Sequence, residues 1–408
     1  MAEFSVDPYV ELYANRCSGM TASEVRALFA VAARPEVVSL AGGMPFVQAL
    51  PQEDVLDVVR RVVEEAGTSA LQYGGGSGHP GLKDRLVALM AEEDIEADPE
   101  RVVVTDGAQQ ALDLVAKIFV DPGDQIVVEA PSYVGALAAF SAYEPRFVQV
   151  PLDEEGLVVD ELEDALVRGV RPKFLYTVPN FHNPAGVTMS HTRRERLVAL
   201  CREAGVPIVE DNPYGLLRFD GAPLPTLHSL DPDNVIYLGT LSKVFSPGVR
   251  LGWAFAPAGV AQRLVLVKEA ADLCTSSFMQ LVGEHYLSGD RWRTNLASLV
   301  SIYRSRRDAM LAALETYFPA DASWTHPAGG FYVWATVPEY FDTSAMLAAA
   351  IERRVAYVPG TAFYAEGSGR NQMRLAFCYP TDRDIEEGVR RLGELLLDEE
   401  TLYRSLSR

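Results

Sequence analysis

Between residues 101 and 239, short β-branched and apolar runs alternate with helix-length stretches, and this alternation leaves few folds open. The runs are "RVVVT" (101–105), "QIVVEA" (125–130), "RFVQV" (146–150), "KFLYTV" (173–178), "PIVED" (207–211) and "VIYLG" (235–239). Helical patterns lie between most of them, as in "AQQALDLVAKIFV" (108–120) and "SHTRRERLVALCREAG" (190–205). Strands that are apolar on both faces and separated by helices predict a mainly parallel sheet covered on both sides, a three-layer α/β/α arrangement. "LGWAFA" (251–256) follows "VIYLG" too closely for a helical crossover, so an antiparallel return is expected there.

The pattern changes after about residue 290. A long helix over roughly 291–317 is followed by "GGFYVWATV", "VAYVP" and "QMRLAFC", with helices between and after them. This predicts a smaller α+β domain over 291–408, behind a large domain over 51–290. The first 50 residues read as an arm and one helix. In "TASEVRALFAVAAR", Thr21 and Glu24 form a capping box, and Val25, Leu28, Phe29 and Ala32 line one apolar face.

Charge and cysteine usage narrow the function classes. The 56 acids against 36 bases give a formal net charge of -20, which repels phosphate backbones and anionic membranes, so neither nucleic acid nor membrane is expected as a partner. The four cysteines, Cys17, Cys201, Cys274 and Cys378, lie far apart and form no C-x-x-C pair. A disulfide framework and a zinc knuckle are therefore not expected, and reduced thiols imply a reducing compartment. The N-terminus lacks the basic start and apolar run of a signal peptide, and no stretch approaches the roughly 20 apolar residues of a membrane helix. The expected location is the cytoplasm.

The loops that follow the strands are where an open α/β sheet binds ligands. Neither glycine-rich phosphate motif is present. In "GGGSGHPGLKD" (74–84), Gly76 and Gly81 have P-loop spacing, but Leu82 separates Gly81 from Lys83. No G-x-G-x-x-G follows a strand and opens a helix, and the six histidines lack the spacing of a metal site. Four strand-end loops remain. Asp106-Gly107 leads directly into a helix at Ala108, either as an ordinary tight turn or as a place where free amides hold a phosphate. "TVPNFHNPAG" places Asn180 and Asn183 in a turn, as turn formers or with an amide aimed at a ligand oxygen. "PIVEDNPYG" sets Glu210, Asp211 and Tyr214 at the end of a buried strand, where Asp211 is either a helix cap or a carboxylate paired with a cation. "GTLSKVFSPGVRLGW" crowds Lys243 among Thr240, Ser242 and Ser246, with Arg250 seven residues on. Together the four loops would surround a cofactor with a phosphate, a phenolic oxygen, a ring nitrogen and an aldehyde, the inventory of pyridoxal phosphate.

With these motifs, and with "LAGGMP", "LQYGGGSG", "APSYVGAL" and "QMRLAFCYP", the chain resembles fold-type I, class I/II pyridoxal-phosphate aminotransferases over nearly its whole length. It is similar to their 2-aminoadipate and kynurenine aminotransferase branch. The resemblance implies that Lys243 joins covalently to the cofactor's aldehyde and carries a proton, and that Asp211 pairs with the ring nitrogen. It implies that Asn183 and Tyr214 bond the phenolic oxygen and that Tyr133 stacks on the ring. The phosphate would meet Ala108, Gln109, Thr240, Ser242 and Arg250, with Tyr73 reaching it from a second subunit of a homodimer. Arg374 would take the substrate α-carboxylate, with Gly42 and Gly43 alongside. Ala108 sits where close relatives usually have serine, and Thr240 often aligns with serine, so one phosphate hydroxyl is lost. In "QMRLAFC", Arg374 alternates with Met373, Leu375 and Phe377 and so points off the apolar face of its strand.

The activity implied is ping-pong transfer of an amino group from an L-amino acid to a 2-oxo acid. Ser23 and Arg26 share a helix face. In aminoadipate-type relatives such a pair contacts a distal carboxylate, which favours glutamate or 2-aminoadipate, although a solvated helix arginine is equally compatible with the spacing. The same scaffold also supports elimination, replacement or carbon–carbon bond formation, and that alternative stays open. Related bodies also serve as regulators fused to DNA-binding domains, but fewer than about 25 residues precede the first helix here, too few for such a module.

Overall fold

The structure, a computed structural model, describes residues 7–17, 34 and 36–406. The helix expected around Thr21 and Glu24, with Ser23 and Arg26, lies outside the described residues. The strands are β1 (Val38–Ser39), β2 (Val102–Thr105), β3 (Gln125–Ala130), β4 (Arg146–Asp153), β5 (Gly156–Leu157), β6 (Leu175–Thr177), β7 (Ile208–Asp211), β8 (Val235–Thr240), β9 (Gly252–Phe255), β10 (Ser323–Trp324), β11 (Tyr332–Thr336), β12 (Val355–Ala356), β13 (Val358–Pro359) and β14 (Gln372–Ala376).

Eight of them form one sheet in the order β2-β9-β8-β7-β6-β3-β4-β5. The five strands β4, β3, β6, β7 and β8 pair in parallel. Strand β9 runs antiparallel between β8 and β2, as its close spacing to β8 requires. Alternate residues of the central strands face opposite layers. Val128, Tyr176, Val209 and Leu238 pack with the helices Ala108–Phe119, Val134–Ser141 and Ala258–Asp272. Val127, Leu175, Ile208 and Val235 pack with the helices Val159–Val167 and His191–Ala204 on the other side. Every residue of β7 and β8 is buried, so apolar side chains there contribute roughly 1.5–3 kcal/mol each. The helix His191–Ala204 is delimited by its own termini: the Ser190 side chain accepts from the Arg193 N–H, and Gly205 ends it at φ 66°.

The second sheet, β10-β11-β14-β13, is antiparallel and belongs to the C-terminal domain. Val333, Met373 and Leu375 face a core built with the helices Arg291–Tyr317 and Asp382–Leu406. Trp334 and Val358 face the opposite way, with Phe363. Strand β1 pairs in parallel with β12, which ties the segment before residue 50 to this domain. No described helix is long and apolar enough to cross a membrane.

Candidate active site

At the carboxyl ends of the parallel strands lies a cavity of about 510 Å³. Of the residues singled out in the sequence, Gly43, Ala108, Gln109, Tyr133, Asn183, Asp211, Tyr214, Thr240, Ser242, Lys243, Arg250 and Arg374 line it. Gly42 does not line it; it is buried one residue behind Gly43, and its carbonyl accepts from Cys378 Sγ at 3.7 Å. Tyr73 is 78% exposed and does not line its own chain's cavity. Ser23 and Arg26 lie outside the described residues.

One end of the cavity is a polar cradle. The helix Ala108–Phe119 starts directly after β2, so its first N–H groups are free to meet an anion. Gly107 makes the turn at φ 76°, and a Cβ there would sit 2.4 Å from Arg250 Nη2. The positive φ favours glycine here, and a side chain would in addition push the Arg250 guanidinium off the cradle. Arg250 donates to the carbonyls of Asp106 at 3.1 Å and Pro247 at 3.3 Å. The Thr240 hydroxyl bonds to Ser242 Oγ at 3.0 Å and to the Leu251 carbonyl at 3.1 Å.

At the middle of the cavity stand Lys243 and Asp211. Burial pulls the Lys243 amine down to about 8; Arg374 and Arg250 add to this, while Cys378 and Asp211 oppose it. Burial pushes the Asp211 carboxyl up to about 6, against the Tyr176 hydroxyl and the Lys243 charge. Tyr176 donates to Asp211 Oδ2 at 2.9 Å, whereas the buried Oδ1 has no hydrogen-bond partner among the described residues. The neighbouring acid has a different fate. Glu210 points to the other face of β7 and accepts the N–H groups of Leu227 at 3.0 Å and His228 at 2.8 Å. The capping role left open for Asp211 therefore falls to Glu210, and Asp211 is left facing the cavity.

The far wall comes from the C-terminal domain. Arg374 is 3% exposed and pairs with no carboxylate among the described residues. It donates to Asn183 Oδ1 at 2.9 Å and to the Ala41 carbonyl at 2.8 Å, and its Nε has no partner among the described residues. A buried guanidinium with donors to spare is a site for an anion.

Sequence reasoning missed several residues here. Pro213 and Tyr332 line the cavity. Asn180 is not aimed at a ligand: its Nδ2 donates to Asn212 Oδ1 at 2.9 Å, and its Oδ1 accepts from Arg194 at 2.7 Å. Asn212 in turn donates to Glu93 at 2.8 Å. This crosspiece holds the loops bearing Asn183 and Tyr214 together. A second clamp is His182, whose Nδ1 accepts from the Ala185 N–H at 3.1 Å while Nε2 lies 3.0 Å from Glu129 Oε2. The available signal was the loss of alternation: buried polar residues in apolar strand ends demand partners.

These groups fit pyridoxal phosphate. The cradle matches a phosphate, the unpartnered Asp211 oxygen matches a cationic ring N–H, and an amine held near 8 is available to an aldehyde. Comparisons with known proteins agree. The family model for aminotransferase class I and II matches residues 36–392. The chain is 44% identical over 397 residues to aromatic-amino-acid aminotransferase 1 of Thermococcus litoralis, covering 96% of this chain and 95% of that one. The crystal structure of Pyrococcus horikoshii kynurenine aminotransferase, in complex with PMP, superposes with a TM-score of 0.91 at 41% identity, covering 95% of this chain and 98% of that one. The α-aminoadipate aminotransferase of Thermus thermophilus, complexed with N-(5'-phosphopyridoxyl)-L-leucine, gives a TM-score of 0.91 at 37% identity, covering 97% of this chain and 99% of that one. The chain therefore belongs to the class I and II aminotransferases and is a pyridoxal-phosphate-dependent enzyme.

Proposed function

We propose that this aminotransferase moves the amino group of an L-amino acid, glutamate or 2-aminoadipate foremost, to a 2-oxo acid by a ping-pong mechanism. The observation that carries the residue roles is the placement of the Lys243 amine and the unpartnered Asp211 carboxylate oxygen in one cavity. When bound, pyridoxal phosphate supplies an aldehyde that exchanges amino groups and a ring that withdraws electrons from the substrate Cα. Asp211 holds negative charge against the ring nitrogen and keeps a proton on that atom. Lys243, held at about 8, has a substantial neutral fraction near pH 7.5 and so serves as the base for the Cα proton. The hydroxyl of Tyr214 and the amide NH2 of Asn183 bond the phenolic oxygen. Asn183 accepts from Arg374 through Oδ1, which leaves that NH2 without a bond among the described residues. Tyr133 stacks on the ring. The N–H groups of Ala108 and Gln109, the hydroxyls of Thr240 and Ser242, and Arg250 hold the phosphate. Arg374 binds the α-carboxylate in a two-pronged grip, the contact for which its buried, unpaired charge is suited.

The exposed Tyr73 supports a homodimer in which that residue completes a second subunit's phosphate site. The described cysteines are all unpaired, which supports a cytoplasmic location. The donor preference rests on Ser23 and Arg26. Arg26→Ala is expected to raise KM for glutamate about tenfold or more while leaving KM for an aromatic donor nearly unchanged; equal rises for both donors refute the assignment. The activity is tested by adding glutamate to the purified holoenzyme. Conversion of the cofactor's absorbance to that of the pyridoxamine form, with 2-oxoglutarate found by mass spectrometry, is the expected result. Release of ammonia or a carbon–carbon condensation product instead would place the enzyme outside transamination.

A further inference from the structure

Tyr332 has an unusual position for a buried tyrosine. It lies on β11, paired with Ala376 of β14 and two residues before Trp334, which pairs with Arg374. Period-two alternation puts Tyr332 and Arg374 on the same face of the sheet. The Arg374 guanidinium carbon lies 4.3 Å from the centre of the Tyr332 ring. The ring's electron-rich face thus supports the cation from below and fixes its plane.

The hydroxyl end is less well provided for. Tyr332 is 3% exposed, yet among the described residues its hydroxyl has one hydrogen-bond contact, to Tyr214 at 3.4 Å. That is long for an O–H···O bond. Tyr214 is the donor in this contact, and once its proton goes to the cofactor's phenolic oxygen the Tyr214 oxygen is a distant acceptor at 3.4 Å, so the Tyr332 proton stays weakly used. A buried phenol whose one partner is that far away gains from a nearer acceptor. Burial also keeps the phenol in its protonated form, because desolvation raises its pKa. Gly43 shows that the space around the hydroxyl is reserved. A Cβ at position 43 would fall 1.8 Å from the Tyr332 oxygen, and Gly43 itself lines the cavity.

We propose that the Tyr332 hydroxyl is a second substrate-binding donor, which gives its hydrogen bond to the same carboxylate that Arg374 binds. The inference rests on the reading of Arg374 as the α-carboxylate site. The two groups divide the work: Arg374 supplies charge, and Tyr332 supplies one directed bond and holds the guanidinium plane. Gly43 is the residue that lets the hydroxyl reach the cavity.

The test uses holoenzyme and a probe without an amino group, so that no chemistry follows binding. 3-Phenylpropanoate and its primary amide are titrated calorimetrically into the parent protein, Tyr332→Phe, Gly43→Ala and Arg374→Gln. Tyr332→Phe is expected to weaken carboxylate binding about tenfold, the loss of one hydrogen bond to a charged group, and to weaken amide binding less, because the neutral amide carbonyl accepts a weaker bond. Gly43→Ala, which displaces the same oxygen, is expected to reproduce that loss and serves if Tyr332→Phe folds poorly. Arg374→Gln is expected to lose more than either. If Tyr332→Phe binds the carboxylate like the parent while Arg374→Gln does not, the inference falls and the Arg374 reading stands. If Arg374→Gln binds normally, both fall. An equal loss for carboxylate and amide also overturns the proposal, since the hydroxyl would then only shape the cavity. So would a change confined to the cofactor's absorbance, since the hydroxyl would then act through Tyr214 alone.

Discussion

Replacing Lys243 with methionine, which keeps the apolar stem and removes the amine, is expected to reduce amino transfer by about 10⁴-fold or more. The reason is that one group carries both the covalent attachment and the proton movement at Cα. Borohydride treatment of the parent holoenzyme should fix a pyridoxyl mass on the peptide containing Lys243, and the variant should carry none. The fold itself should not suffer. Because the folded value of about 8 lies below the ordinary 10.5, the unfolded chain binds more protons between those values. Stability of the cofactor-free parent therefore rises with pH across that window, and below it the buried charge is a burden. The cofactor-free variant should melt no lower than the parent at pH 7, with any advantage shrinking as pH rises from 8 toward 10.5. A variant that retains turnover within about tenfold of the parent would remove Lys243 from the mechanism.

Asp211→Asn is the second large effect. Removing a preorganised charge from the reacting centre is expected to lower kcat about 10²–10³-fold, with the cofactor still bound through its phosphate. Stability should move in the opposite direction when the cofactor is absent. The folded carboxyl titrates at about 6, above its ordinary 3.8, so the folded chain holds an extra proton between those values. Stability of the cofactor-free parent thus falls as pH rises through that window and stays lowered above it, by on the order of 3 kcal/mol. Asparagine has no such charge and can still accept from Tyr176. Cofactor-free Asp211→Asn should therefore melt higher than the cofactor-free parent at about pH 7.5 and match it near pH 4. With pyridoxal phosphate bound the order should reverse. Equal melting of the two cofactor-free proteins at about pH 7.5 would show that Asp211 is already paired within the chain.

Much of the architecture was legible because it depends on local pattern. The β-branched runs at 125–130, 207–211 and 235–239 correspond to β3, β7 and β8 within a residue. The side on which Arg374 emerges follows from alternation along one strand. What was not legible depends on pairing between distant segments. Nothing in "GGFYVW" distinguishes Tyr332 from the rest of the chain's 17 tyrosines. Its place beside Arg374 arises only from the register of β11 against β14. The separate fates of Glu210 and Asp211 require knowing which face of β7 meets the helix Leu227–Leu230. Asn180 was equally compatible with a turn and with a ligand, and it became a crosspiece because Asn212 and Arg194 arrive from other elements.

The cavity lies where the two sheets meet. Lys243, Asp211 and the anion cradle hang from the eight-stranded sheet, while Arg374 and Tyr332 rise from the four-stranded one. A bound amino acid is then a rivet through both. Its grip on the guanidinium also ties the end of one sheet to the other, so affinity for the substrate and cohesion of the two sheets become linked quantities.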